Sequence, residues 1–385
     1  MSAASIGSRA DSLEMQAPAD AASDNGGAGY QWEASDAQIA VAFGVDPAQI
    51  VRFDTNTSPR TPPQLANWLA RAPLERLNEY PDATYEALTA AIAARHGVPP
   101  TSIVVGAGAD ELLDIAAKTC LSPGGRAVVA TPTYGMYPVL SRQRAAMLVD
   151  APRGAARDGF PLDADALVRA AAGAELVWLC DPNNPTGTAE PHGALLDLLG
   201  RLADGPGGGP VVVADEAYRE FGGASLIGAL GRFPRLVVVR TLSKAYGLAG
   251  IRVGYAVAQP ALAARLAVVR PPGSISTLSA WIATAALADA AFASANVAAI
   301  VGERERFRAA LLDAGWKVPP SVTNFLLVNA DDPATADAAA DRLLRRGLVP
   351  RRLGPGPLRG YLRLTVRTPE EDDRLLAALG TRPRS

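Results

Sequence analysis

Lys244 follows two hydroxyls, Thr241 and Ser243, and precedes Arg252 by eight residues. The stretch is LVVVRTLSKAYGLAGIRVGY, residues 236–255, and its apolar start, Leu236–Val239, reads as a buried strand. A lysine amine can shed its proton and attack a carbonyl carbon, and a guanidinium cannot. Hydroxyls and a guanidinium beside the lysine can hold an anion. The layout suits a lysine that makes a Schiff base next to a bound phosphate. Composition singles it out further. The chain has three lysines, Lys118, Lys244 and Lys317, against 34 arginines. A surface lysine in a loop is the plain alternative.

Other groups fall at similar places. Asp215 follows the apolar run Val211–Ala214, and a carboxylate at the end of a buried strand is costly unless something pairs with it. Glu216, next to it, is the other candidate for such a pair. Ile103–Val105 runs into GAGADELLDIAAK, where the amides of Gly108, Ala109 and Asp110 at a helix start form an anion site. The glycine spacing is not that of a dinucleotide or P-loop fingerprint. Tyr134 follows the strand Ala127–Ala130, a place where an aromatic is ordinarily core. Asn184 lies in DPNNPTG, residues 181–187, whose prolines and glycine fix the turn, and a rigid turn can aim an amide. Arg351 and Arg363 sit on or beside short strands, where an exposed arginine is the ordinary reading.

The elements that must position these groups alternate. Strands are expected at 50–53, 103–105, 127–130, 147–150, 176–180, 211–214 and 236–239, with helices between most of them. Ser35 caps a helix that stops at Gly44, a second helical stretch ends in Leu77–Pro81, and residues 277–314 read as one long helical stretch. Beyond it come strands near 324–328, 349–352 and 361–366 and helices at 334–346 and 370–379. The class is α/β, a large mostly parallel sheet flanked by helices, with a smaller α+β domain. Residues 1–29 are too poor in large apolar side chains to order themselves and are expected to form a disordered tail, with order starting near Tyr30–Trp32. An arm and part of the small domain take 30–75, the large domain 76–285 and the small C-terminal domain 286–385.

Composition excludes several functions. Hydrophobic residues make up 49% and charged residues 20%, as in a soluble globular protein, and no apolar run has the length of a membrane span. A net charge of −2 gives no reason to expect nucleic acid or a membrane as partner. Cys120 and Cys180 stand alone in apolar surroundings and read as reduced, which favours the cytoplasm. With His96 and His192 at expected helix ends and no cysteine cluster, no metal site is expected.

TLSKAYGLAGIRVGY resembles the cofactor-lysine segment of fold-type I pyridoxal-phosphate aminotransferases, in the wording of the histidinol-phosphate aminotransferases. The resemblance covers residue 30 or so to the end, through Gly108-Ala109-Asp110, Tyr134, Asn184, Asp215 with Tyr218, and Thr241-x-Ser243-Lys244 with Arg252. It implies pyridoxal 5'-phosphate as cofactor, bonded to Lys244. Asp215 then partners the ring nitrogen, Tyr218 and Asn184 hold the ring's phenolic oxygen, and Tyr134 stacks on the ring. Thr241, Ser243, Arg252 and the Gly108–Asp110 amides hold the phosphate. Tyr80 reaches the phosphate of the other subunit of a homodimer. Asn56 lines the substrate pocket, Arg363 grips the acceptor carboxylate and Arg351 helps bind the substrate phosphate. The implied reaction is L-histidinol phosphate plus 2-oxoglutarate to imidazole-acetol phosphate plus L-glutamate, in histidine biosynthesis. A transaminase for aromatic or other amino acids and a same-fold phosphothreonine decarboxylase are the alternatives. The chain departs from the family pattern at Arg60, Gly273 and Arg367, where a tyrosine, an aromatic and a glycine are usual.

Overall fold

The computed structural model describes residues 33–156, 159–354 and 356–382. The tail expected over 1–29 and the onset of order expected at Tyr30–Trp32 lie outside them.

Helix α1 (Asp36–Phe43) starts at Ser35, whose hydroxyl accepts from the Gln38 amide while Gln38 returns a bond to the Ser35 amide. Gly44, at φ 66°, ends it. Strand β1 (Val51–Arg52) and helices α2 (Leu65–Ala70) and α3 (Glu86–His96) follow. The stretch expected to end a helix at Leu77–Pro81 follows only a short 3-10 turn, Leu74–Arg76. Pro73 has no N–H to extend α2 toward it.

Then comes a regular alternation: β2 (Ile103–Gly106), α4 (Gly108–Cys120), β3 (Arg126–Val129), α5 (Met136–Gln143), β4 (Met147–Asp150), α6 (Ala164–Ala170), β5 (Leu176–Cys180), α7 (His192–Ala203) and β6 (Val211–Asp215). It closes with β7 (Leu236–Thr241), β8 (Gly254–Ala258) and α8 (Pro260–Val269). The strands form one seven-stranded sheet in the order β2-β8-β7-β6-β5-β3-β4. Strands β7, β6, β5, β3 and β4 are parallel, and β8 runs antiparallel to both neighbours. Every residue of β5, β6 and β7 is buried, because helices cover both faces. That is why these strands read as unbroken apolar runs and not as alternating ones.

The long helical stretch expected over 277–314 is two helices, α9 (Thr277–Ala288) and α10 (Ala291–Asp313), bent by 77°. Asp289 leaves helical geometry at φ −109°, ψ 75°. Neither glycine nor proline marks the break, and alanine-rich sequence runs straight through it.

The remaining elements are β9 (Phe325–Asn329), α11 (Pro333–Leu344), β10 (Leu348–Val349), β11 (Arg351–Arg352), β12 (Tyr361–Thr365) and α12 (Pro369–Leu379). Strands β11, β12 and β9 make an antiparallel sheet. The one strand expected over 349–352 is two, split by Pro350: β10 pairs with β1 and β11 with β12.

The parallel strands end on one edge of the large sheet, and the chemistry-bearing residues follow those ends, where ligands collect in open α/β sheets. At this edge β8 passes close to the first turn of α4. A Cβ on Gly254 would stand 2.7 Å from the Gly108 carbonyl carbon and 2.9 Å from the Ala109 nitrogen. These are backbone atoms and cannot swing aside. Gly254→Ala should therefore lower the unfolding free energy in a urea titration by about 1–3 kcal/mol; wild-type stability would show that the two segments are free to part.

Candidate active site

A cavity of about 410 Å³ opens where the strand ends of the large sheet meet residues 54–57 and β12. Its lining includes Asn56, Ala109, Asp110, Tyr134, Asn184, Asp215, Tyr218, Thr241, Ser243, Lys244, Arg252 and Arg363. The spacing along the chain scatters these residues over most of its length, and the fold brings them to one pocket.

Lys244, just beyond β7, reaches the Thr55 carbonyl with its Nζ at 3.4 Å and lies 5.7 Å from the centre of the Tyr218 ring. Burial in the chain, then the positive charges of Arg363 and Arg252, pull its amine down to about 8, against the pull of Asp110 and Asp215. Asp215 ends β6 and is 5% exposed. Its Oδ2 accepts from the Tyr137 hydroxyl at 2.8 Å and its Oδ1 from the Ala217 amide at 3.1 Å. Burial pushes its carboxyl up to about 6, helped by the charge of Asp110, while these two donors and Lys244 pull it back.

Tyr218 is fixed from both sides. Its ring meets Phe325 edge-on at 5.2 Å, and its oxygen accepts from Asn56 Nδ2 at 3.0 Å. With that lone pair taken, the hydroxyl proton is left to point elsewhere. Burial holds its phenol well above the usual tyrosine range. Asn56 itself has a left-handed backbone, φ 52°, held by its amide donating to Thr365 Oγ1 at 2.9 Å and its carbonyl accepting from Asn324 Nδ2 at 2.9 Å. Asn56, expected on the substrate side, thus lines the pocket and orients Tyr218 as well.

Arg363, on β12, donates to Asn184 Oδ1 at 2.7 Å and to the Asp54 carbonyl. The bond fixes which end of the Asn184 amide is oxygen, so its NH₂ group is the end free to donate elsewhere. At the opposite end of the pocket Thr241 Oγ1 donates to Ser243 Oγ at 2.9 Å, and Arg252 lies 3.5 Å from that oxygen and 3.4 Å from Asp110 Oδ2. Gly108 leaves room for this guanidinium: a Cβ there would be 2.5 Å from Arg252 Nη2, and the glycine's φ of 82° is itself a left-handed one. Tyr134 donates to Asp110 Oδ1 at 2.9 Å.

Three expected residues lie outside the cavity lining: Gly108, which starts α4 directly before the lining residues Ala109 and Asp110, Tyr80 and Arg351. Tyr80 is 98% exposed. Arg351 pairs with Glu33, Nη1 to Oε1 at 2.8 Å, and of the two only Glu33 lines the pocket. The departures from the family pattern lie off the pocket too. Arg367 turns to Glu371 on α12, 3.2 Å away, Arg60 is exposed, and a Cβ on Gly273 would meet Pro81, the neighbour of Tyr80. Glu216, the alternative to Asp215, pairs with Arg240 at 2.9 Å outside the pocket.

Sequence reasoning passed over Tyr137, Cys180, Thr55 and Glu33. Tyr137 had one readable signal, its place three residues after Tyr134 on the first turn of α5. Glu33 had none.

A family model, aminotransferase class I and II, matches residues 49–379. The chain belongs to that family, and is a pyridoxal-phosphate-dependent transaminase. A histidinol-phosphate aminotransferase 2 of Ralstonia nicotianae is 36% identical over 348 residues, 89% of this chain and 91% of that protein. A histidinol-phosphate aminotransferase of Xanthomonas campestris pv. campestris is 41% identical over 309 residues, 78% of this chain and 83% of that protein. Among solved structures, a histidinol-phosphate aminotransferase from Sinorhizobium meliloti in complex with pyridoxal-5'-phosphate superposes with a TM-score of 0.83 at 28% identity, covering 91% of this chain and 94% of that one. The donor set fits the cofactor chemically. Helix-start amides, hydroxyls and a guanidinium suit a phosphate, a buried carboxylate suits a protonated ring nitrogen, and a lysine of lowered pKa lies between.

The electrostatics can be read directly. A pH titration of carbon-13 methylated lysines in the cofactor-free protein should give Lys244 a midpoint near 8, and Arg363→Gln should raise it by removing a like charge. A midpoint near the ordinary ~10.4 would contradict the crowding described here.

Proposed function

We propose that the protein transfers the amino group of L-histidinol phosphate to 2-oxoglutarate, giving imidazole-acetol phosphate and L-glutamate. The observation that carries the reading is Arg363: a buried guanidinium, held by Asn184 and the Asp54 carbonyl, in the same pocket as Lys244. It offers a fixed positive fork to an anionic group carried by either substrate. Relatives of the same name at 36% and 41% identity support the choice of donor.

When bound, pyridoxal phosphate supplies a carbonyl carbon for the amine and a ring that takes up the electron pair released at Cα. The chain's residues do the rest. The amides of Gly108, Ala109 and Asp110, with Thr241, Ser243 and Arg252, bind the phosphate. Tyr134 covers one face of the ring. Asp215 accepts the ring N–H and holds its positive charge. Asn184, through its NH₂, and Tyr218, through its hydroxyl, donate to the phenolic oxygen. Lys244 would bear the bond to the cofactor and, as a free amine, would take the proton from the donor's Cα and deliver it to the cofactor carbon that carried the carbonyl. A pKa near 8 keeps part of this amine unprotonated at neutral pH. Arg351, behind Glu33 at the pocket lining, would join Arg363 in binding the substrate phosphate if the phosphate takes the place of Glu33 as its partner.

A homodimer belongs to this reading. Leu74, Leu77 and Tyr80 expose large apolar surface along one short segment, and Trp281 and Leu69 lie nearby on α9 and α2. A second copy that covers this face would bury them and bring Tyr80 to its partner's pocket. We also propose a division at 30–75, 76–285 and 286–385, supported by the pairing of β1 with β10, which ties the first segment to the last. A cytoplasmic setting accords with Cys120 and Cys180 as free thiols.

Spectra of the purified protein test the reaction. The visible band of the loaded enzyme should fade on adding L-histidinol phosphate and return on adding 2-oxoglutarate, with imidazole-acetol phosphate and glutamate as products. A band that histidinol phosphate leaves unchanged would remove this donor. Release of carbon dioxide from phosphothreonine would point to the decarboxylase instead.

A further inference from the structure

Asp215 is surrounded by titratable groups from every element packed on it: Tyr137 of α5, Cys180 of β5, Asp110 of α4, Tyr218 beyond β6 and Lys244 beyond β7. Of these, only Tyr137 gives its carboxylate a side-chain hydrogen bond, 2.8 Å from hydroxyl to Oδ2. Cys180, pushed up to about 12 by burial and then by Asp215, stays a neutral thiol. Asp110 adds a like charge and Lys244 an opposite one.

Tyr137 cannot turn away from this bond. It is fully buried, its ring stacks on Trp178 at 5.2 Å and 10°, and Tyr134 meets it edge-on at 5.6 Å. Ser141 ties the stack together, donating to the Tyr137 carbonyl at 2.8 Å and accepting from Trp178 Nε1 at 3.0 Å. A rigid donor aimed at a carboxylate lowers its affinity for a proton. A proton shared between Asp215 and a ring nitrogen then lies toward the ring, where it is needed to draw electrons from Cα.

We infer that Tyr137 is a positioning residue that keeps the shared proton on the cofactor's ring nitrogen by donating to Oδ2 of Asp215. The inference rests on the proposed place of pyridoxal phosphate with its ring nitrogen at Asp215. Tyr137→Phe is the direct test, since the benzene ring keeps the stack and loses only the hydroxyl.

The readout is the nitrogen-15 resonance of ring-labelled pyridoxal phosphate bound to the protein, with the cofactor dissociation constant alongside. In wild type the resonance should be that of a protonated ring. Tyr137→Phe should move it toward the unprotonated position and weaken cofactor binding on the order of tenfold, the scale of one charge-assisted hydrogen bond. Trp178→Phe loosens the same stack without touching Asp215 and should leave the resonance in place. Should Tyr137→Phe fail to fold, 3-fluorotyrosine at position 137 decides: it keeps the shape, donates more strongly and should hold the resonance at the protonated position to a higher pH than wild type, an unchanged or lower midpoint overturning the inference. An unmoved resonance in the folded variant, or an equal movement in Trp178→Phe, overturns the inference. A wild-type protein whose bound cofactor has an unprotonated ring overturns the placement of the ring at Asp215 instead.

Discussion

A negative charge is kept at the end of a strand that is buried along its whole length. Asp215 is 5% exposed, and among the described residues its carboxylate accepts two hydrogen bonds, from Tyr137 and the Ala217 amide. Lys244, in the same pocket, loosens its own proton because it is buried and then because Arg363 and Arg252 crowd it. Each group alone would be a cost to the fold. Together they leave a pocket with a negative end, a reactive amine and an anion cradle, and the cofactor of a transaminase completes that charge pattern.

The parallel sheet makes this arrangement possible. Strands β2, β3, β5, β6 and β7 all deliver their next residue to the same edge, so groups from residue 108 to residue 252 meet without any long excursion of the chain. Gly108 and Gly254 allow the backbone to close up under the anion site. From the other side, β12 brings Arg363 and Thr365, and Asn56 links Thr365 to Tyr218. The small sheet thereby holds a group of the large one in position.

Much of this was readable from sequence, for a physical reason. Buried parallel strands are continuous apolar runs, so β5, β6 and β7 announced themselves, and the polar residue that ends such a run has to have a purpose. Spacing alone does not choose between Asp215 and Glu216, because they are neighbours; the family resemblance chooses Asp215. Strand alternation sends them to opposite faces, and Glu216 spends its charge on Arg240. What stayed hidden depends on partners far apart in sequence. Nothing in the run PTYGMYP says that the hydroxyl of Tyr137 meets a carboxylate 78 residues on. The bend at Asp289 has no breaker residue, and the pairing of Arg351 with Glu33 joins two segments 318 residues apart.

The central claim is that Lys244 bears the cofactor, and the scarcity of lysine makes it easy to test. Borohydride reduction of the protein loaded with pyridoxal phosphate, followed by peptide mass mapping, reports which amine was bonded. The account predicts the added mass on the peptide containing Lys244 and none on those with Lys118 or Lys317. A label on either of the other two, or on no lysine at all, would contradict it.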